Sequence, residues 1–222
     1  TDLAELGLSL NSVSIIEVDN KMSLKVIWQH LCCLFIFGTV FKGAHWAYCA
    51  LKTAKKLCKE NQYDAIITKN SPSELLGSYF KKKKGYKWIA TWNDPYPTKK
   101  YPKPYGNGVT AKLFILESPL LNLMEKADYH IFPNQRIREY MRSYLNIPSE
   151  KTRIIPHVVI PREHHDTPHE NLRIVHLGNL LPPRDAATFL RALTEFIKNE
   201  QNAKIEIAFI GQTPQSVKDF VN

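Results

Sequence analysis

No G-x-G-x-x-G occurs anywhere in the 222 residues, which counts against a standard NAD-binding site. No apolar run reaches the roughly 20 residues that a membrane-spanning helix needs. The nearest approach is LCCLFIFGTVF at 31–41, closely bounded by Gln29, His30 and Lys42. Cysteine is sparse. Cys32, Cys33, Cys49 and Cys58 match no zinc or redox spacing, and no secretory signal is visible, so they read as reduced thiols of a cytosolic protein. No short-period repeat appears, and no known RNA- or DNA-binding signature accompanies the basic residues.

What is present is a soluble-globular composition, 44% hydrophobic and 23% charged, sufficient for a core without disulfides. The net charge of +9 suits a phosphorylated ligand, an anionic membrane surface or nucleic acid, and does not choose among them. The chain opens on Thr1 and ends inside a fold unit, which reads as a piece of a longer protein.

Short apolar segments alternate with helical patterns. Strands are expected at 12–18, 63–68, 87–92, 129–133, 153–159, 172–177 and 204–210. Most are apolar throughout, the mark of parallel sheets covered on both faces. The stretch 21–58 reads as largely helical, with 31–41 as a buried helix or, alternatively, a segment dipping into a membrane interface. Ser71-Pro72-Ser73-Glu74 supplies a helix start, and the helix closes on four lysines (81–84) and Gly85. Further helices are expected over 110–116, from Ser118 to Ala127, after the cap Asn134, and over 186–199. Residues 161–171 (PREHHDTPHEN) read as a linker between a first domain, 1–160, and a second, 172–222.

Four constellations are candidates for chemistry. The strand 172–177 ends in Gly178-Asn179, with Arg184 at the start of the following helix, and the next strand ends in Gly211. Ligands of open α/β sheets lie beyond the carboxyl ends of strands, where Gly178 would admit a phosphate and Arg184 could pair with it; an ordinary turn fits the same residues. Asn93-Asp94-Pro95 follows the strand 87–92, as a turn or as a carboxylate facing a cleft. The lysines 81–84 are either a solvated helix end or a patch that meets anionic lipid. Finally, His165 and His169 have the i, i+4 spacing of a metal pair and lie near Glu163, His164 and Asp166, but Pro168 and the linker composition argue against it.

The order of these pieces resembles the two-domain retaining glycosyltransferases of the large nucleotide-sugar-dependent family with the GT-B fold. The matching segments are QYDAIITKNSP (62–72), KWIATWNDP (87–95), KADYHIFPN (126–134) with KTRIIP (151–156), and VHLGNL (175–180) through Arg184-Asp185 to Phe209-Ile210-Gly211. The resemblance implies an α/β fold of two Rossmann-like doubly wound domains, the first lacking its start and the second cut short. It implies a nucleotide-sugar donor, a saccharide or lipid-linked acceptor, cell-surface polysaccharide or glycolipid synthesis, and no metal or other cofactor. The donor diphosphate would meet Gly178, Asn179 and Arg184, with Gly211 on the nucleotide side, while Asn93 and Asp94 would face the acceptor; Asp94 is the candidate catalytic residue.

In such enzymes the donor-gripping glutamate pair falls beyond Asn222, so this piece alone is expected to be inactive. Thr91 stands where the family's "D-x-x-D-P" pattern begins. The implied location is cytoplasmic, with peripheral contact at the inner membrane face left open by 31–41 and 81–84. A non-catalytic two-lobed binding protein and a basic nucleic-acid-binding protein are the alternatives.

Overall fold

A computed structural model describes residues 16–18, 25–39, 43–113, 117–157, 171–180, 186–200, 204–215 and 217–218. The chain divides into two compact units, Thr1–Val158 and Val159–Asn222.

The first unit contains α1 (Val26–Phe37), α2 (Ala44–Glu60), β1 (Ala65–Lys69), α3 (Ser73–Lys84), β2 (Lys87–Thr91), a 3-10 turn (Thr98–Lys100), α4 (Glu117–Met124), β3 (Tyr129–Phe132), α5 (Gln135–Arg142) and β4 (Thr152–Ile154). Its sheet runs in the order β1-β2-β3-β4, every pair parallel, with Ile67 opposite Ile89, Ala90 opposite His130 and Ile131 opposite Arg153. The second unit pairs β5 (Leu172–Leu177) with β6 (Ile205–Ile210), again parallel, through α6 (Ala187–Asn199). Parallel strands joined by helical crossovers are what the uninterrupted apolar strands require.

Trp88 organises the first core. Its indole is fully buried and lies so close to α3 that a Cβ on Gly77 would stand 2.1 Å from Nε1. The same Nε1 donates to Thr68 Oγ1 of β1 at 2.9 Å. Asp128 closes the other end: Oδ2 accepts from the Trp88 amide at 2.9 Å and Oδ1 pairs with Lys81 Nζ at 2.8 Å. Phe80, Leu75, Trp92, Met124 and Phe132 fill the space around this fixed point.

Local signals explain the element ends. Gly85 closes α3 with a left-handed φ of 72°, its amide donating to Lys81 O at 3.0 Å, and four lysines complement the helix dipole there. Asn134 caps α5 as its position suggests, Oδ1 accepting from Ile137 N at 2.9 Å.

Several expectations are corrected. The helical stretch 21–58 is broken after Phe37, where Gly38 (φ 71°) turns the chain. Nor is α1 a buried helix: it buries Gln29, Cys33 and Phe37 and turns Phe35 (87% exposed), Ile27 (75%) and Trp28 (64%) to solvent. Each large apolar side chain left outside forgoes roughly 1.5–3 kcal/mol of burial.

Residues 110–113 are not helical, while 114–116 lie outside the described residues. Ile16–Val18 are not strand, and residues 12–15 lie outside the described residues. The strand expected over 153–159 is Thr152–Ile154 only. In the second unit Leu172, Val175, Leu177 and Ile210 remain exposed, so β5 and β6 are not covered on both faces. There α6 shields Ile207 and Phe209 through Leu190. Residues 158–170, which include nearly all of the expected linker, lie outside the described residues.

His130 is wholly buried between Trp92 and Phe132, and its Nδ1 accepts from Trp92 Nε1 at 3.1 Å. Burial, reinforced by the Lys151 and Lys81 charges and opposed by a Glu125 backbone contact, lowers its pKa from 6.5 to about 4. A depressed histidine supports the fold above its unfolded value and loses that support as pH falls through the folded one. Stability should therefore drop by about 3 kcal/mol from this group between pH 6.5 and about 4. Urea titrations across that range should show His130→Gln, which keeps an acceptor for Trp92, to have lost that part of the slope.

Candidate functional site

In the first unit, side chains tie the carboxyl ends of β1 and β2 together, Thr91 Oγ1 donating to Thr68 O at 2.8 Å. Asn70 follows β1 with a left-handed φ of 61°, and its Oδ1 accepts from the Asn93 amide at 3.0 Å. The Asn70 amide in turn donates to Thr91 O at 3.2 Å, and Ser73 Oγ donates to Asn70 O at 2.7 Å. Beside this junction lies a cavity of about 420 Å³ whose walls include Asn70, Ser71, Trp92, Asp94, Tyr96 and Tyr101. Asp94 is thus on a cavity wall with an exposed carboxylate, whereas Asn93 is half-buried and does not line the cavity. Burial and then the Asp94 charge raise the Tyr101 pKa, so Tyr101 remains a neutral hydroxyl donor facing the cavity.

The loop carrying these residues is braced from below. Tyr144 Oη donates to Tyr96 O at 3.0 Å, and Tyr140 Oη donates to the Lys100 carbonyl. Lys100 is itself buried, with Nζ bonded to Val109 O and 5.5 Å from the Tyr144 ring centre. The Lys, Pro and Gly of residues 99–108 mark a loop in the sequence, and nothing in that composition signals that one of its lysines turns inward.

The helix start at 71–74 differs from the expected capping arrangement. Pro72 is the cap residue of α3 and no side chain caps the helix. Glu74 is 0% exposed, and among the described residues neither carboxyl oxygen has a hydrogen-bond partner. Desolvation raises its pKa from 4.5 to about 8, only partly opposed by its own backbone amide. Tyr96 on the cavity wall also has a raised pKa, through burial first and with the Glu117 and Glu74 charges adding to it. Glu74 is therefore a neutral acid behind the cavity at neutral pH, a feature hidden in the sequence because Glu three residues after Ser is so common a helix signature.

In the second unit the ends of β5 and β6 are zipped together. Gly178 N donates to Ile210 O at 2.8 Å, Leu180 N to Gln212 O at 2.8 Å, and Gln212 N to Asn179 Oδ1 at 2.9 Å. Gly211 (φ 136°) lies against Gly178 so closely that a Cβ would stand 2.3 Å from the Gly178 carbonyl oxygen. Among the described residues nothing lies within 4 Å of where a Cβ of Gly178 (φ 127°) would be. Gly211, Gln212, Thr213 and Lys218 share a cavity of about 690 Å³ with Ile207 and Phe209. Gly178, Asn179 and Gly211 are thus brought together, with the Asn179 oxygen already engaged. Lys218 adds a cation that the sequence reading passed over. Arg184 lies outside the described residues, as do Glu163, His164, His165, Asp166 and His169. Among the described residues no three His, Cys, Asp or Glu side chains converge as a metal site, and no helix is long and apolar enough to cross a membrane.

The parallel α/β units match the GT-B fold of solved glycosyltransferase structures. Residues 34–163 match the model of Glycosyltransferase Family 4, and the chain belongs to that family. Among solved structures it is similar to "OtsA apo structure" (TM-score 0.56, 15% identity, covering 82% of this chain and 48% of that one). It is also similar to "Crystal Structure of TarM" (TM-score 0.52, 11% identity, 78% and 33%). The chain spans less than half the length of either. No curated protein matches it.

Two outcomes follow from this geometry. Glu74 holds its proton to about pH 8 in the fold but releases it near 4.5 when unfolded, so stability should fall as pH rises through that interval. In urea titrations, Glu74→Gln should flatten this decline. Gly211→Ala should lower the thermal stability of the second unit by about 1–3 kcal/mol, through a forbidden φ and the clash with Gly178, and more than Gly178→Ala does.

Proposed function

We propose that the protein transfers a sugar from a nucleotide-sugar donor to a saccharide or lipid-linked acceptor, with retention at the anomeric carbon. The reaction would belong to cell-surface polysaccharide or glycolipid synthesis in the cytoplasm. The observation that carries this reading is the family match over residues 34–163. The glycine-lined ends of β5 and β6 support a donor site, because the lack of a side chain at Gly178 lets a diphosphate approach the main chain there.

On this reading Gly178, Asn179, Arg184 and Lys218 surround the diphosphate, and Gly211 borders the nucleotide. The bond from the anomeric carbon to the diphosphate breaks as the acceptor hydroxyl oxygen bonds to that carbon, negative charge builds on the departing diphosphate, and the hydroxyl proton passes to the diphosphate oxygen that leaves. A guanidinium from Arg184 stabilises that charge most strongly where it is greatest, in the transition state, and so needs no metal. Asn179 acts through its backbone, since its side-chain oxygen is engaged by Gln212. In the first unit Asp94 accepts hydrogen bonds from acceptor hydroxyls, Tyr101 donates to them, and Asn93 holds the loop through its amide.

Turnover of UDP- and GDP-sugars by the full-length protein tests the reading. Arg184→Ala should reduce kcat by about a hundredfold or more, the loss typical of removing one donor to developing charge. Unchanged kcat and donor KM in that variant would remove Arg184 from the role.

A further inference from the structure

The outward face of α1 is the inverse of what a soluble helix presents. Ile27, Trp28, Leu31, Leu34 and Phe35, all exposed, fall within an arc of roughly 120° at 100° per residue, while the polar Gln29 faces inward and bonds to His45. Beside the carboxyl end of this stripe, α2 and α3 set out lysines in two adjoining clefts. One, of about 560 Å³, is lined by Phe35, Phe37, Tyr79, Lys55, Lys82 and Lys83. The other, of about 470 Å³, shares Lys55 and Tyr79 and adds Lys52, Lys56, Lys59 and Lys84.

Among the described residues no acidic side chain lines either cleft. Of these seven lysines, Lys56 alone has an ion-pair partner among the described residues, Glu60 at 3.8 Å. Lys55 Nζ sits 4.6 Å from the centre of the Tyr79 ring, so the positive charge is held over an aromatic floor rather than neutralised.

We propose that α1 and these lysine clefts form a docking face for a bilayer containing anionic phospholipid. Trp28, Leu31 and Phe35 would enter among headgroups and upper acyl chains, while Lys55, Lys82 and Lys83 pair with lipid phosphates. The chemistry of the two halves selects a bilayer over other partners. Exposed Trp and Phe favour the membrane–water interface, and lysine stems can lie along apolar surface with the ammonium in the headgroup layer. A planar array of phosphates satisfies many lysines at once, which a single soluble anion does not. Twelve residues make a helix about 18 Å long, too short for a hydrocarbon core of about 30 Å, so α1 lies in the plane of the interface. The inference stands apart from the transferase reading, since no sugar need be transferred for the face to bind.

Co-sedimentation of the whole protein with vesicles of phosphatidylcholine alone, and with added phosphatidylglycerol, tests it. Binding should require phosphatidylglycerol and weaken as salt rises. The combined Lys55→Gln, Lys82→Gln, Lys83→Gln variant should lose about a hundredfold in affinity, near fivefold for each lysine. Trp28→Ser with Phe35→Ser should abolish binding while leaving circular dichroism and Tm unchanged, because both side chains are exposed. Three results would overturn the proposal: equal binding to neutral vesicles, full displacement by inorganic phosphate with the Phe35 variant unaffected, or no vesicle binding together with a dimer that Phe35→Ser disperses. The last would make this a contact between copies of the chain.

Discussion

Gly77 and Trp88 occupy one another's space. The indole lies where any other side chain at position 77 would begin, so α3 approaches the sheet more closely there than a Cβ allows. The Nε1 bond to Thr68 fixes the ring's rotation, and the Asp128 bond to the Trp88 amide fixes the start of the strand. From this contact the rest of the first unit takes its position. The amino end of α3 is carried to the carboxyl ends of β1 and β2, which is where Asn70, Glu74 and Asp94 gather.

The same unit keeps two ionisable groups uncharged inside the fold. Glu74 and His130 are shifted in opposite directions by the same cause, removal from water, and both end neutral. His130 has its Nδ1 satisfied by the Trp92 bond and an aromatic ring on either side. Among the described residues Glu74 has no such partner, and an acid left unpaired behind a cavity wall is the costlier arrangement. Tyr96, which feels the Glu74 charge, and Tyr101 bring phenolic hydroxyls to the cavity wall that also carries the Asp94 carboxylate.

Much of the fold was legible because its signals are local. Apolar strands read as parallel, Asn134 read as a cap, and Gly85 after four lysines read as a helix end; each rests on residues within one turn. Family membership was legible for a related reason, since the motifs lie at strand ends in a fixed order. What failed depends on contacts far apart in sequence. The run 31–41 has the composition of a core helix, and nothing in it shows that Phe35 faces water while Gln29 faces in. Lys100 reads as loop charge until Tyr140, Tyr144 and Val109 are brought around it. Glu74 reads as a capping residue until α3 is found to begin at Ser73. At the second strand pair, glycines alone could not show that Gly211 serves contact with Gly178.

Asn70 carries two demands that come from unrelated sources. Its backbone is left-handed, which most side chains tolerate poorly, and its side-chain oxygen must reach the amide of Asn93 across the strand ends. Glycine meets the first demand alone, and longer polar residues meet the second alone. Only asparagine and aspartate answer both, and aspartate would set a second carboxylate on the wall that already holds Asp94. The choice of residue at this position is therefore narrowed to one by the intersection of a steric rule with an electrostatic one, without either being severe by itself.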